Sequence, residues 1–177
     1  LYTGDDFITG LVPTARLARV QYAIKEGRFK SLRDMMLTPH ELWNVELARE
    51  NYDQAWSMVH FLAHGDDGRY QDAFFRFLRD VSRGDEWERA WERRFGSDVH
   101  AFQRRWEAYW LGQPGNPTAD LYAKAAVSTV TSFYARAFSR QQIFEDLEAF
   151  ADAAEAGELK AHPDDWLPPE LLHDVIR

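Results

Sequence analysis

Apolar residues recur at helical spacing along most of the chain, and Gly or Pro interrupts the pattern at short intervals. Residues 1–13 have the composition of a loop. Periodicity then begins near Thr14 and predicts a helix that ends at Gly27. The stretch "SLRDMML" predicts a short helix, and "TPHE" has the cap, the proline and the glutamate of a helix start.

The clearest helical pattern begins at Asn51. Its apolar positions recur at i, i+3, i+4 and i+7, and we expect them to share the face that packs against the core. They are Tyr52, Ala55, Trp56, Val59, Leu62 and Ala63. Three further helices follow up to residue 112, and Ser97 or Asp98 is expected to cap the last of them. Four tryptophans are expected to point into the core, namely Trp87, Trp91, Trp106 and Trp110.

One stretch has the composition of a linker, "GQPGNP" over residues 112–117. Two long helices and a short closing helix are expected beyond it, and no stretch shows the sustained alternation of a strand. The sequence therefore predicts an all-α fold, an irregular bundle of about seven to nine helices with short loops. We expect two regions, residues 1–112 and a helical extension over residues 113–177 that packs on the first.

Composition and charge narrow the functional classes. Hydrophobic residues make up 45% of the 177 residues, enough for a folded domain with a sizeable core. The formal net charge of -8 argues against binding to nucleic acid or to an anionic membrane surface. No apolar run approaches the roughly 20 residues of a membrane-spanning helix. The chain has no cysteine, which excludes disulfides and thiol catalysis.

Two histidines four residues apart, His60 and His64, have the ligand spacing of a zinc-binding helix. A hydrolytic H-E-x-x-H helix places a glutamate general base after the first histidine, and this position holds Phe61. Helical geometry places both imidazoles on a partly exposed flank. We therefore expect one histidine at a helix–helix seam and the other at a helix C-terminus. The alternative is a metal site that joins both histidines to a carboxylate.

Other acidic residues have the spacing of a site, but solvated surface explains them better. Glu46 and Glu50 could be carboxylate ligands or an acid–base pair, yet two acidic residues at helical spacing usually form a solvated face. Asp66 and Asp67 give "HGDDG" the look of a calcium loop, but its alternating oxygen ligands and closing glutamate are absent. We expect a plain turn there and another at "HPDDW" near the C-terminus.

The order of features over residues 50–112 carries a family resemblance. A tyrosine opens an apolar helix in "ENYDQAWSMVHFL", and a glycine turn, two aromatic helices, a Phe-Gly-Ser turn and a last tryptophan-containing helix follow. This order resembles the helical region downstream of the active site in gluzincin zinc metallopeptidases, especially peptidase-MA-like bacterial proteins of unknown function. The stretch "FITGLVPTARLARVQYAIKEGRFKSLRDMM" is similar to the segment that follows their third metal ligand. The resemblance covers roughly residues 5–112.

The resemblance implies a zinc site outside this chain. The family's H-E-x-x-H helix and its downstream glutamate ligand do not occur in the sequence, and both are expected before Leu1. The chain is then the C-terminal helical subdomain of such a protein, with no cofactor of its own and no hydrolytic activity alone. It starts at Leu1 without a methionine or a signal-like segment, which favours a piece of a longer protein. Family members are often exported, which favours an extracytoplasmic location.

Tyr52 is the residue to which the resemblance gives a chemical role. In related aminopeptidases a tyrosine at the start of the corresponding helix donates a hydrogen bond to the oxyanion of the tetrahedral intermediate. A phenol hydroxyl can donate where negative charge develops, so the role is physically sound at Tyr52. The structural alternative makes Tyr52 the first core-facing residue of its helix, with its hydroxyl at the rim.

Two classes of function therefore remain open. The first is the helical wall of a peptide cleft in a metallopeptidase-like protein, with a peptide or protein as the bound molecule. The second is a non-enzymatic interaction module that binds a protein partner in a groove between helices, with the segment after Pro117 as a candidate contributor. The sequence does not determine the oligomeric state.

Overall fold

A computed structural model of the chain describes residues 1–4, 6–43, 49–160 and 172. Within these residues the secondary structure is helical, with one isolated antiparallel bridge between Tyr2 and Phe7 and no strand. The prediction of an all-α fold is confirmed, because the described part forms nine helices, the third of them a single turn. They are α1 (Thr14–Lys25), α2 (Leu32–Leu37), α3 (His40–Trp43), α4 (Arg49–Gly68), α5 (Gln71–Ser82), α6 (Trp87–Phe95), α7 (Val99–Gly112), α8 (Ala119–Ser139) and α9 (Leu147–Glu155).

Side-chain caps and glycines set the ends of several helices. The hydroxyl of Ser31 accepts a hydrogen bond from the backbone N–H of Asp34 at the start of α2. The carboxylate of Asp98 accepts one from Ala101 at the start of α7, as expected. Such caps satisfy N–H groups that the first helical turn leaves without partners. Gly96 ends α6 with a φ of 83°, in the left-handed region that favours glycine.

Contacts divide the chain into two compact units, of which one is Val12–Pro117 with α1 to α7. Aromatic rings fill its core. Trp106 and Trp110 are fully buried and Trp91 nearly so, whereas Trp87 is half-buried. The predicted inward orientation of the tryptophans is therefore confirmed for three of the four.

Helix α4 packs only part of its predicted stripe against the core, namely Trp56, Leu62 and Ala63. Five of its six buried residues between Tyr52 and Ala63 lie off the predicted stripe. They are Asp53, Gln54, Ser57, His60 and Phe61. Of the predicted stripe, Leu62 is buried, but Tyr52 is 51% exposed and Val59 is 53% exposed. The interpretation of Tyr52 as a core-facing residue is therefore wrong, because α1 and α7 bind the polar side of this helix.

The other unit consists of Leu1–Leu11 and Thr118–Arg177. Phe150 of α9 is fully buried in it, with its ring 5.4 Å from that of Tyr134 of α8. Arg136 of α8 donates a hydrogen bond to the carbonyl of Gly4, which ties residues 1–11 to this unit. The predicted division into residues 1–112 and 113–177 stays a prediction. The predicted closing turn and helix lie outside the described residues, apart from the buried Leu172.

Candidate functional site

Tyr52 lies near the N-terminal end of α4 and is half exposed to solvent. A hydrogen-bond donor to a substrate oxyanion has to be reachable from solvent and has to be held on a rigid element. Tyr52 has that exposure, and the residues that follow it hold the helix in place. Its predicted role as an oxyanion donor stays a prediction.

Asp53 anchors the start of α4 to α1. Its side chain is 4% exposed, and Arg19 donates to its carboxylate from Nε at 2.5 Å and from Nη2 at 3.2 Å. The Nε atom of Arg16 lies 3.0 Å from the same carboxylate. The hydrogen bond to Asp53 raises the pKa of Arg19. Because two guanidinium groups bind one buried carboxylate, the first turns of α4 are fixed against α1.

Gln54 and Ser57 continue this buried polar face. Gln54 accepts a hydrogen bond from the Lys30 N–H at 3.1 Å and donates one to the Lys30 carbonyl at 2.6 Å. Ser57 accepts one from Trp106 Nε1 at 3.1 Å, and Trp110 Nε1 donates to the Ser57 carbonyl at 3.2 Å. These bonds satisfy groups that burial would otherwise leave without partners. They fix the rotation of α4 about its own axis.

His60 packs inside the unit. It is 7% exposed, with its ring 5.3 Å from that of Trp56 and 5.4 Å from that of Trp110 on α7. His64 is half-buried and precedes Gly65, where the backbone leaves helical geometry. The expected placement, one histidine at a helix–helix seam and one at a helix end, is confirmed. The expectation of a partly exposed flank is wrong for His60, because the polar side of α4 faces α7.

The described residues offer no set of three or more histidine or acidic side chains placed to hold a metal ion. The rings of His60 and His64 are neighbours in this part of the chain, with centroids 5.0 Å apart and planes tilted by 52°. Glu46 and the side chain of Glu50 lie outside the described residues.

The expected turn after His64 is left-handed. Asp66 and Asp67 have φ angles of 48° and 55°, and Gly68 follows at 78°. Aspartate tolerates this conformation better than most residues with a side chain. Burial and, after it, the charges of Asp66 and Asp67 raise the pKa of Tyr109. The two carboxylates therefore lie near α7, and their backbone is a turn, as expected.

A cavity of about 290 Å³ lies among residues of α1, α4, α7 and the loop after α1. Arg19, Asp53 and Gln54 contribute its polar wall, and Trp106 contributes an apolar part. Arg19 binds Asp53, and Gln54 binds the Lys30 backbone. These side chains therefore serve to join the helices.

A second cavity of about 420 Å³, which we call the apolar groove, lies between α2, α4, α5 and α6. All of its lining residues are apolar except Thr38. Val59 of α4 and Leu78 of α5 are 53% and 45% exposed where they line it. The groove also contains every methionine of the chain. These are Met35, Met36 and Met58.

Tyr52 and the apolar groove share one face of α4. Ala55, Val59 and Leu62 line the groove. Seven residues make almost two helical turns, so Tyr52 points to nearly the same side as Val59, about 10 Å away along the helix axis. Half of the stripe that periodicity assigns to the core thus lines an open groove, and Tyr52 lies at the N-terminal end of the stripe.

Sequence reasoning missed both the anchoring role of Asp53 and the groove. A signal for the anchor was present, because Asp53, Gln54 and Ser57 recur at i, i+1 and i+4 and so share a helix face. Arg16 and Arg19, three residues apart on α1, supply the complementary charges. Polar faces usually meet solvent, so periodicity alone assigns the apolar stripe to the core.

No protein-family model, no curated protein and no solved structure matches this chain. Among the helices of the described residues, none combines the length and the apolar character that a bilayer crossing requires.

Proposed function

We propose that the chain is the helical subdomain of a zinc-metallopeptidase-like protein, in which Val12–Pro117 forms one wall of a peptide cleft. The sequence resemblance over roughly residues 5–112 supports this proposal. The structural observation that carries it is the exposure of Tyr52 at the N-terminal end of a helix that is anchored from the next residue onward. The metal and the general base belong to the half of the cleft that this chain does not supply.

The contribution of this chain to hydrolysis would be electrostatic. The phenol of Tyr52 donates a hydrogen bond to the oxygen that gains negative charge when a peptide carbonyl becomes tetrahedral. The Asp53 pairs with Arg16 and Arg19 keep the helix start from moving, so the donor is pre-organised. In this proposal the metal and the general base lie outside the chain, so we expect no hydrolysis from the chain alone.

Substitution of Tyr52 by Phe in the complete protein tests the proposal. Loss of one oxyanion donor lowers kcat by about 10²- to 10³-fold in well-studied hydrolases, and we expect a loss of that order with little change in KM. Tyr22→Phe is the matched control, since Tyr22 on α1 is similarly exposed at 55%. Equal peptide hydrolysis by the Tyr52→Phe and Tyr22→Phe proteins would remove Tyr52 from the mechanism.

The coding sequence upstream of Leu1 provides an independent test. The proposal requires an in-frame H-E-x-x-H helix and a glutamate ligand downstream of it. A start codon immediately before Leu1 would contradict the proposal.

The apolar groove supports a second candidate, a non-enzymatic module that binds a protein segment between its helices. The two candidate functions predict different effects of Tyr52→Phe on peptide hydrolysis. In the module the complete protein hydrolyses no peptide, and the substitution has no activity to remove.

A further inference from the structure

The apolar groove has a lining suited to one class of ligand. None of its lining side chains is charged, and Thr38 supplies its single hydroxyl. Its volume of about 420 Å³ falls within the range of roughly 300–1,000 Å³ that small-ligand sites occupy. A charged side chain that entered it would lose its hydration without gaining an ionic partner. The lining therefore favours an uncharged, apolar occupant.

Methionine gives the groove an adaptable surface. All three methionines of the chain line it, and Met36 and Met58 are half-buried there. An unbranched thioether can repack around side chains of different shape, which is why such residues are common at surfaces that bind varied apolar partners. The groove is thus suited to a class of apolar side chains rather than to one of them.

The proposed cleft supplies a peptide to this lining. Tyr52, the proposed donor to a peptide carbonyl, and the groove lie on one face of α4. A peptide held at Tyr52 can therefore continue along that face and place an apolar side chain in the groove.

The position of the groove relative to Tyr52 sets a register. About 10 Å along α4 separates Tyr52 from Val59, and an extended peptide covers that distance in about three residues. We propose that the groove binds a large apolar side chain of an uncharged, extended peptide segment, about three residues from the peptide bond that faces Tyr52. This assignment of substrate class rests on the proposed peptide cleft.

Binding can be measured without turnover. Labelling of methionine methyl groups with ¹³C gives three NMR signals, and every one of them reports on the groove. The probes are two acetylated and amidated peptides that differ at one position, which is Leu in the first and Asp in the second. We expect the Leu peptide to shift the signals of Met36 and Met58 and to bind at least roughly tenfold more tightly than the Asp peptide.

A single charge in the groove should abolish this preference. Val59→Glu is suitable because Val59 is 53% exposed, so the folded state can accommodate the substitution. We expect it to weaken binding of the Leu peptide roughly tenfold or more. Val127→Glu is the matched control, since Val127 on α8 is 67% exposed, and this variant should bind like the unsubstituted chain. Circular dichroism confirms that both variants are folded.

The groove and the proposed function fail in different experiments. If the two peptides bind equally, or if Val59→Glu binds the Leu peptide like the unsubstituted chain, the groove assignment is wrong whatever Tyr52 does. If the Leu peptide is preferred while Tyr52→Phe leaves hydrolysis by the complete protein unchanged, the groove assignment stands and the catalytic role of Tyr52 fails.

Discussion

The indole Nε1 of Trp106 donates a hydrogen bond to the hydroxyl of Ser57 across 3.1 Å, and both side chains are fully buried. The same hydroxyl donates to the carbonyl of Gln54 at 2.7 Å. A small polar side chain in the middle of α4 therefore satisfies a buried indole donor of α7. This bond joins the two helices at the centre of the aromatic core.

Replacement of Ser57 by Ala should destabilise the chain by about 1–3 kcal/mol, because it leaves the buried Trp106 N–H without an acceptor. Ser82→Ala is the control, since the Ser82 hydroxyl also donates to a carbonyl three residues earlier but is exposed. That variant should stay within about 0.5 kcal/mol of the unsubstituted protein. Urea denaturation followed by circular dichroism measures both. Equal losses in the two variants would show that the Trp106 bond contributes nothing.

Local signals in the sequence predict the helices well. The Asp98 cap and the glycine after α6 are visible in the sequence, because caps and left-handed turns depend on residues next to one another. The pairing of Leu1–Leu11 with Thr118–Arg177 depends on a contact between residues 132 positions apart, from Arg136 to Gly4. No local pattern carries that information.

Hydrophobic periodicity alone cannot predict which face of α4 is buried, for a physical reason. Hydrophobic periodicity identifies a face that avoids water, and in α4 the Val59 face only partly does so, because it lines a groove. Burial of Asp53 and Ser57 depends on partners on α1 and α7 that are distant in sequence. The family resemblance identifies Tyr52 as a candidate residue, whereas its exposure to solvent is visible only in the structure.

A substitution at Gly65 tests how tightly α4 packs around Phe61. A Cβ atom built on Gly65 overlaps the ring of Phe61, which is fully buried. Gly65→Ala should therefore destabilise the chain by about 1–3 kcal/mol through overpacking. Gly115→Ala is the control, because a Cβ there meets nothing within 4 Å. Thermal unfolding should show a lower Tm for the first variant alone, and an unchanged Tm for both would contradict the packing around Phe61.

Asp53→Asn tests the anchor of α4. The substitution removes the charge that binds Arg16 and Arg19 while keeping the side-chain shape, and we expect a loss of about 2–4 kcal/mol. Asp72→Asn is the control, since Asp72 is 92% exposed and lies 4.0 Å from Arg76, a pair expected to contribute less than about 0.5 kcal/mol. Urea denaturation at neutral pH distinguishes the two. A loss as small as that of the control would show that the anchor is dispensable.

The acid sensitivity of the α5–α6 pair should depend on Asp80. Its partial burial raises the pKa, but hydrogen bonds from Arg94 and Arg93 outweigh that effect and bring the pKa of Asp80 below 3.8. Since 3.8 is the value expected in the unfolded chain, the folded state binds the proton less tightly than the unfolded state does. The stabilising contribution is therefore present above pH 3.8 and is lost as the pH falls through the lower, folded-state value.

Urea denaturation from pH 7 to pH 2 tests this expectation with Asp80→Asn. At pH 7 the variant should be less stable than the unsubstituted protein, because Arg94 loses the charge of Asp80 and Arg93 keeps only its pair with Asp85. Below pH 3.8 the two stabilities should converge, since protonation removes the same charge from Asp80. Asp152→Asn, at an exposed position of α9, should show a small difference that does not change over this range. A gap between Asp80→Asn and the unsubstituted protein that stays constant from pH 7 to pH 2 would mean that its charge does not stabilise the fold.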